Sequence, residues 1–334
     1  MNDVGWIPAA DVVQWRAALE GLEHGFAHLP EYSAAAARVT GHQAGLWHWT
    51  GAAGRAACPV GRRPAPGGGF DVVSPLGFGG FAVAGAADGM AQAWRDFWRD
   101  EGALCAYVQL SAQWPQEQWR VHLPDFANEL SPSRECWLWD LRPAPDALAA
   151  GMAPKHRQLL HKWERESSGL CWDREELQLA FDRLYADFVV RRGIGAAYRY
   201  TPAAIAELAA SPGALWVGAR DDRGAIEAVT VFLWHGRQAD SVLNAATPEG
   251  RRHSRGLYWH GALRLRRLGV ENLNLGGGVT DGDELARFKQ RLGASARDTL
   301  ALRQVFDPER FGRACSAAGI AAAASARFPP WPQD

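Results

Sequence analysis

The chain has 334 residues, long for a single core and ample for two domains of ordinary size. A formal net charge of −1 excludes a general polycationic nucleic-acid binder while leaving room for a local basic groove. Five scattered cysteines (Cys58, Cys105, Cys136, Cys171, Cys315) form no C-x-x-C pair, so neither a zinc knuckle nor a disulfide framework is expected, and no metal site.

The 16 tryptophans are read chiefly as core residues, with groove lining as the alternative. Residues Met1 to Trp6 lack a basic stretch followed by an apolar core, and Ala-rich Ala314 to Ala326 is too short to span a bilayer. The expectation is a cytoplasmic protein with no transmembrane segment.

In chain order, Asp11 can cap a first helix to Leu22, with Val12, Trp15, Leu19 and Leu22 on one face. A strand at Leu46 to Thr50 leads into Gly51 to Gly69, whose Gly and Pro content reads as a long loop. Phe70 to Val73 reads as a buried strand. In Ser74-Pro75-Leu76-Gly77-Phe78-Gly79-Gly80-Phe81, glycines among aromatics predict backbone held close to a ligand or another segment. A helix fits Asp88 to Asp100; Gly102 ends it, and Leu104 to Leu110 is an apolar strand. Pro124 to Pro145 reads as irregular, with a domain boundary near Pro143 to Pro154.

The second half opens with a basic amphipathic helix, Pro154 to Glu166. A longer one follows at Arg174 to Arg192, with Leu177, Phe181, Leu184, Tyr185 and Phe188 on one face. Thr201-Pro202 starts a short helix. Three strands then stand in hairpin order, Leu215 to Ala219, Ala225 to Trp234 and Ser241 to Ala246. The helix Gly256 to Leu268, Gly269 and the strand Glu271 to Leu275 complete the series. They echo the helix, Gly and strand that close the first half, which predicts two degenerate copies of one fold.

The sharpest motif runs from Leu275 to Gly293. A strand enters Gly276-Gly277-Gly278, then comes an acidic turn with Asp281, then Phe288-Lys289-Gln290-Arg291-Leu292-Gly293. This resembles the Fem family of aminoacyl-tRNA-dependent transferases and the related BioF2-like proteins of the GNAT superfamily. Their second domain ends in a Gly-Gly loop followed by Phe-Lys-x-x-Phe-Gly, with Leu292 here replacing the usual aromatic. Ser74 to Gly80, containing Phe78 and Gly79, resembles the family's Pro-Tyr-Gly-Tyr-Gly-Gly loop. Leu29-Pro30-Glu31-Tyr32, Lys155-x-Arg157 and Tyr200-Thr201 fit its pattern more loosely. The resemblance covers residues 25 to 305.

The resemblance implies an α/β (α+β) protein of two tandem GNAT-like domains, residues 1–147 and 148–334, each a mixed, mostly antiparallel sheet flanked by helices. The second is the expected catalytic domain. The implied activity is acyl or aminoacyl transfer from an activated donor to an amine of a cell-envelope precursor, such as an amino sugar or a peptidoglycan stem peptide. Lys289 would stabilise the developing oxyanion or the donor's terminal negative charge, with Phe288 beside it and Asp281 a candidate proton acceptor. Asp283 and Glu284 are further candidate acceptors, and all three acidic residues are equally readable as caps of the helix beginning near Glu284. No permanent cofactor is implied, only acyl-CoA or aminoacyl-tRNA as co-substrate.

In GNAT enzymes the donor's phosphates lie on a loop and helix N-terminus, and Arg251 to Gly256 is the corresponding stretch. Ser254 stands where the first glycine usually does, which favours a donor other than CoA, whereas the lack of a heptad-bearing arm weakens tRNA. Arg251 and Arg255, with Gly276 to Gly278, are candidate donor or acceptor contacts. Lys155, Arg157 and Lys162 are candidates for a nucleotide-linked acceptor, or simply a solvated helix face. DNA is not an expected partner. The competing reading is a non-catalytic GNAT-like module that binds a sugar nucleotide or a protein. A dinucleotide fold is disfavoured, since Gly276-Gly277-Gly278 lacks the GxGxxG spacing, and a Walker loop is absent.

Overall fold

The computed structural model describes residues 3–77, 79–114, 116–167, 169–193, 195, 199–278, 282–320 and 328–331. The chain divides into two compact units. One comprises Met1–Arg134, Ala196–Ala204 and Asp298–Asp334; the other comprises Glu135–Gly195 and Ile205–Arg297.

The first unit opens with β1 (Asp3–Pro8), α1 (Val12–Leu19), α2 (Pro30–Thr40), β2 (Gln43–Thr50), β3 (Gly54–Pro64), β4 (Phe70–Val73), β5 (Ala82–Gly85), α3 (Met90–Asp100), β6 (Ala103–Gln109) and α4 (Gln116–His122). Then come β7 (Leu130–Asp140), α5 (Pro145–Gly151), α6 (Pro154–Glu166), β8 (Leu170–Cys171), α7 (Arg174–Arg192), α8 (Pro202–Ala210), β9 (Ala214–Arg220), β10 (Ile226–His235) and β11 (Gln238–Ala246). The remaining elements are α9 (Ser254–Arg267), β12 (Asn272–Asn274), α10 (Glu284–Arg291), β13 (Ser295–Val305) and α11 (Pro308–Ala317).

In the first unit the strand order is β1-β2-β3-β4-β6-β13. All these pairs are antiparallel except β4 with β6. The second unit is ordered β7-β12-β11-β10-β9-β8, and there the parallel exception is β11 with β12. In each unit the parallel pair is joined by a helix ending in a left-handed glycine, Gly102 (φ +81) after α3 and Gly269 (φ +90) after α9. The repeated helix-Gly-strand pattern therefore corresponds to the same turn of fold in both units. Glycine suits both ends because a β-carbon disfavours that backbone region.

Two stretches read as irregular are strands. The expected loop Gly51 to Gly69 contains β3, whose interior is almost wholly buried between neighbours. Its polar residues hid this: Arg63 faces Asp71 across the ladder and donates to it through Nε at 2.9 Å, so charge enters the sheet as a pair. Pro59 falls between the stretches paired with β5 and β4, where a missing N–H is tolerated. Likewise Pro124 to Pro145 contains β7, polar in its first half and fully buried at Cys136 to Trp139.

The tryptophans are mostly core. Trp47, Trp94 and Trp98 form an edge-to-face cluster with Phe81 in the first unit, centroids 5.0–6.1 Å apart. Burying each such ring contributes roughly 1.5–3 kcal/mol. The second core gathers Trp139, Phe232, Leu257, Trp259 and Leu273 between the sheet and α9. The five cysteines are buried and unbridged. No helix among the described residues is long and apolar enough to cross a membrane.

Candidate functional site

The second unit contains a parting between its two parallel strands. β11 and β12 pair only at Gln238↔Asn272, Ala239↔Leu273 and Asp240↔Asn274. Beyond that point β11 follows β10 to Ala246. The chain after β12 instead stays on β7, where Leu275 N donates to Trp137 O at 2.8 Å and Trp137 N to Gly276 O at 3.1 Å. Asn274, almost fully buried, closes the apex: its Nδ2 donates to Asp240 Oδ2 at 2.9 Å, and its Oδ1 accepts from Gly276 N at 2.8 Å. A bulge opposite Val231 and Phe232 shifts the register of β11, which re-aims side chains as bulges do. Ser241 there lies 3.0 Å, hydroxyl to hydroxyl, from Tyr258 on α9.

The glycine loop leaves this apex, and α10 packs against it. Asp283 caps α10, its carboxylate accepting from Ala286 N at 2.7 Å, which is the capping role open to it from the sequence. From the last turn Lys289 reaches back, 4% exposed, and its Nζ donates to Gly276 O at 3.0 Å and Gly277 O at 2.6 Å. Among the described residues its third donor has no protein acceptor. Burial pushes the Lys289 ammonium down to about 8, against the pull of Cys136 and Asp283. Gly276 needs its left-handed φ of +72. At Gly277 a β-carbon would stand 2.6 Å from Glu135 O on β7.

Beside α10 lies a basic cavity of about 570 Å³, lined among others by Lys162, Trp163, Arg251, Arg252, Arg255 and Phe288. The stretch expected as an open loop before the helix is different in kind. Glu249–His253 is a 3₁₀ turn running straight into α9, which starts at Ser254. Gly256 lies under Trp163, so close that a β-carbon would come within 2.5 Å of the ring. The indole thus covers the first turn of α9, where amide donors would otherwise face an anion.

Trp163 Nε1 donates to His253 Nδ1 at 2.7 Å. Since an indole nitrogen can only donate, His253 accepts at Nδ1, while its Nε2 lies 2.5 Å from Glu227 Oε1 and 3.2 Å from Arg252 Nε. Arg252 Nη2 donates to the same oxygen at 2.8 Å. Both ring nitrogens of His253 are therefore engaged, and it orients the cavity wall instead of serving as a free base. Arg252 is neutralised by Glu227, and Arg220, also on the wall, by Glu176. Arg251 and Arg255 form no ion pair among the described residues, and Arg255 Nε is buried with no hydrogen-bond partner. They are the charges available to an anion.

Phe288 links the two features, lining the cavity next to Lys289 and packing against Tyr258 and His156 at 5.8 and 6.0 Å. The structure thus brings Lys289 to Gly276 and Gly277, with half-buried Gly278 next in the loop. It separately brings Phe288 to Arg251 and Arg255. Lys155 is exposed and lines neither feature; Arg157 turns to the end of α5, its Nη1 3.5 and 3.4 Å from Ala149 O and Ala150 O. In the first unit Gly79 forms a parallel bridge with Leu110. Asp281 and Phe78 lie outside the described residues. Asn274, Tyr258, Glu227, His253 and Trp163 escaped the sequence reading, because each is defined by partners far away in the chain.

The repeated units and the parted strands make up a fold that this chain shares with FemX. The structure of FemX superposes with a TM-score of 0.68 at 11% identity, covering 93% of this chain and 99% of FemX. A protein of unknown function from Bacteroides thetaiotaomicron gives 0.58 at 12% identity, covering 91% and 100%. L-PGS from Bacillus licheniformis gives 0.55 at 12%, covering 90% and 93%. No protein-family model matches the sequence, and no curated protein does either.

Proposed function

We infer that the chain is an acyltransferase, moving an acyl or aminoacyl group from an activated ester to an amine on a cell-envelope precursor such as an amino sugar or a peptidoglycan stem peptide. The second unit, Glu135–Gly195 and Ile205–Arg297, carries the reaction. The observation behind this reading is the buried Lys289 ammonium, fixed on two carbonyls of the glycine loop where β11 and β12 part. As the amine attacks, the donor carbonyl becomes a tetrahedral oxyanion, and its collapse expels the donor's alcohol or thiol. A cation held in a desolvated site stabilises that charge without reorganising. The attacking nitrogen loses its proton to solvent or to the leaving group.

The covered first turn of α9 favours a donor gripped through Arg251 and Arg255 over one held on backbone amides. Both acyl-CoA and aminoacyl-tRNA bring phosphates for those arginines. The test is transfer to amino-sugar and muropeptide acceptors with acetyl-CoA or charged tRNA supplied. Wild type turns over, and Lys289→Ala loses about 10²–10³-fold in rate, as for removal of one oxyanion donor. Equal rates overturn the role of Lys289.

The engagement of both nitrogens of His253 favours a second reading, a binding module without chemistry. Calorimetric binding of a sugar nucleotide with no turnover on any donor would select it.

A further inference from the structure

A second cavity in the same unit, of about 420 Å³, lies between the start of α7, the start of β9 and the second half of α9. Its volume is in the range of small-molecule sites. Arg174, Arg264 and Arg267 line it, and no carboxylate does. None of the three forms an ion pair among the described residues, in contrast to Arg220 and Arg252 of the first cavity. Helix stabilisation accounts for two of them, since cations at the C-terminal end of α9 complement its dipole. It does not account for Arg174, which sits in the first turn of α7, where a cation opposes the dipole.

The walls suit a flat ring. Trp172, 41% exposed, presents its indole at the cavity, beside Leu215 and Leu263. Trp216, 3% exposed, also lines it, its ring packed edge-to-face on Phe181 of α7, centroids 5.6 Å apart. His260 is held below its usual range mainly by burial, and its ring packs 5.8 Å from Trp163, which lines the first cavity.

We propose that this cavity is a nucleoside-phosphate site, with the phosphate on Arg174, Arg264 and Arg267 and the base against Trp172. It is distinct from the transfer site and independent of the acyltransferase reading. Unpaired arginines supply the anion contacts, and an exposed indole beside apolar side chains supplies a stacking face that any base can use.

The experiment is calorimetric titration of ADP into the full chain carrying Arg255→Ala, which disables the first cavity. ADP is expected to bind saturably. Adding Trp172→Ala weakens ADP by about tenfold, a typical stacking loss, and leaves inorganic pyrophosphate unaffected. Adding Arg264→Ala weakens both by about tenfold, as loss of a charged hydrogen bond would. Trp172 and Arg264 are exposed and Arg255 is half-buried, and circular dichroism checks that each variant is folded. The absence of saturable ADP binding overturns the proposal, as does ADP binding indifferent to both Trp172→Ala and Arg264→Ala. Trp172-dependent sedimentation with phosphatidylglycerol vesicles, without ADP binding, also overturns it in favour of a lipid surface.

Discussion

Lys289 Nζ lies 2.6 Å from the carbonyl oxygen of Gly277, twelve residues earlier on the loop that leaves β12. Because burial holds this ammonium down to about 8, from an ordinary value of 10.5, the folded state releases its proton before the unfolded chain does. The cost of burying the charge is fully present below pH 8 and is relieved as pH rises from 8 towards 10.5. Stability to urea is therefore expected to rise across that window relative to Lys289→Met, which lacks the group. Transfer that needs the cation should decline above about pH 8. A wild type whose pH-stability curve runs parallel to that of Lys289→Met would refute the assignment.

The two glycines under Lys289 differ in what they resist. Gly277→Ala places a β-carbon 2.6 Å from Glu135 O, a backbone atom that cannot swing aside. The expected cost is about 1–3 kcal/mol in urea unfolding, as for overpacking, together with a loss of transfer rate as the Lys289 acceptor moves. Gly276→Ala meets nothing nearer than Lys289 Nζ at 3.8 Å but must keep φ at +72. Its cost is about 1–2 kcal/mol from the backbone alone.

The cationic candidates separate into two groups. Arg255→Ala removes an unpaired guanidinium from the cavity wall and is expected to weaken a phosphate-bearing donor by about tenfold, the loss of one charge-assisted hydrogen bond. Lys155→Ala, at an exposed position off the wall, should leave donor affinity within about twofold, as surface substitutions usually do. Titration of each variant with acetyl-CoA or charged tRNA measures both. Equal weakening would mean that the donor runs along α6 instead.

Much of the second unit was legible along the chain. The helices α6 and α7 start and stop where the sequence places them, since a Pro in the first turn and an Asp cap with a Gly stop are local signals. The hairpin strands β9, β10 and β11 were recognisable from turn residues and apolar runs. In contrast, β3 and β7 were hidden, because the neighbours on their flanks, and not their own composition, make them strands.

For the site, the sequence by itself determined that a glycine run and a Phe-Lys pair stand a short, fixed distance apart on either side of a capped turn. That is local chemistry: left-handed turns need glycine, and a helix start needs a cap. Only the tertiary structure decided that Lys289 points back onto the Gly276 and Gly277 carbonyls and that Trp163 closes the first turn of α9. It likewise decided that Arg255 stands unpaired while Arg252 does not. Each of these depends on which distant side chain arrives within hydrogen-bond reach, and that is set by packing across the sheet, which no spacing along one chain encodes.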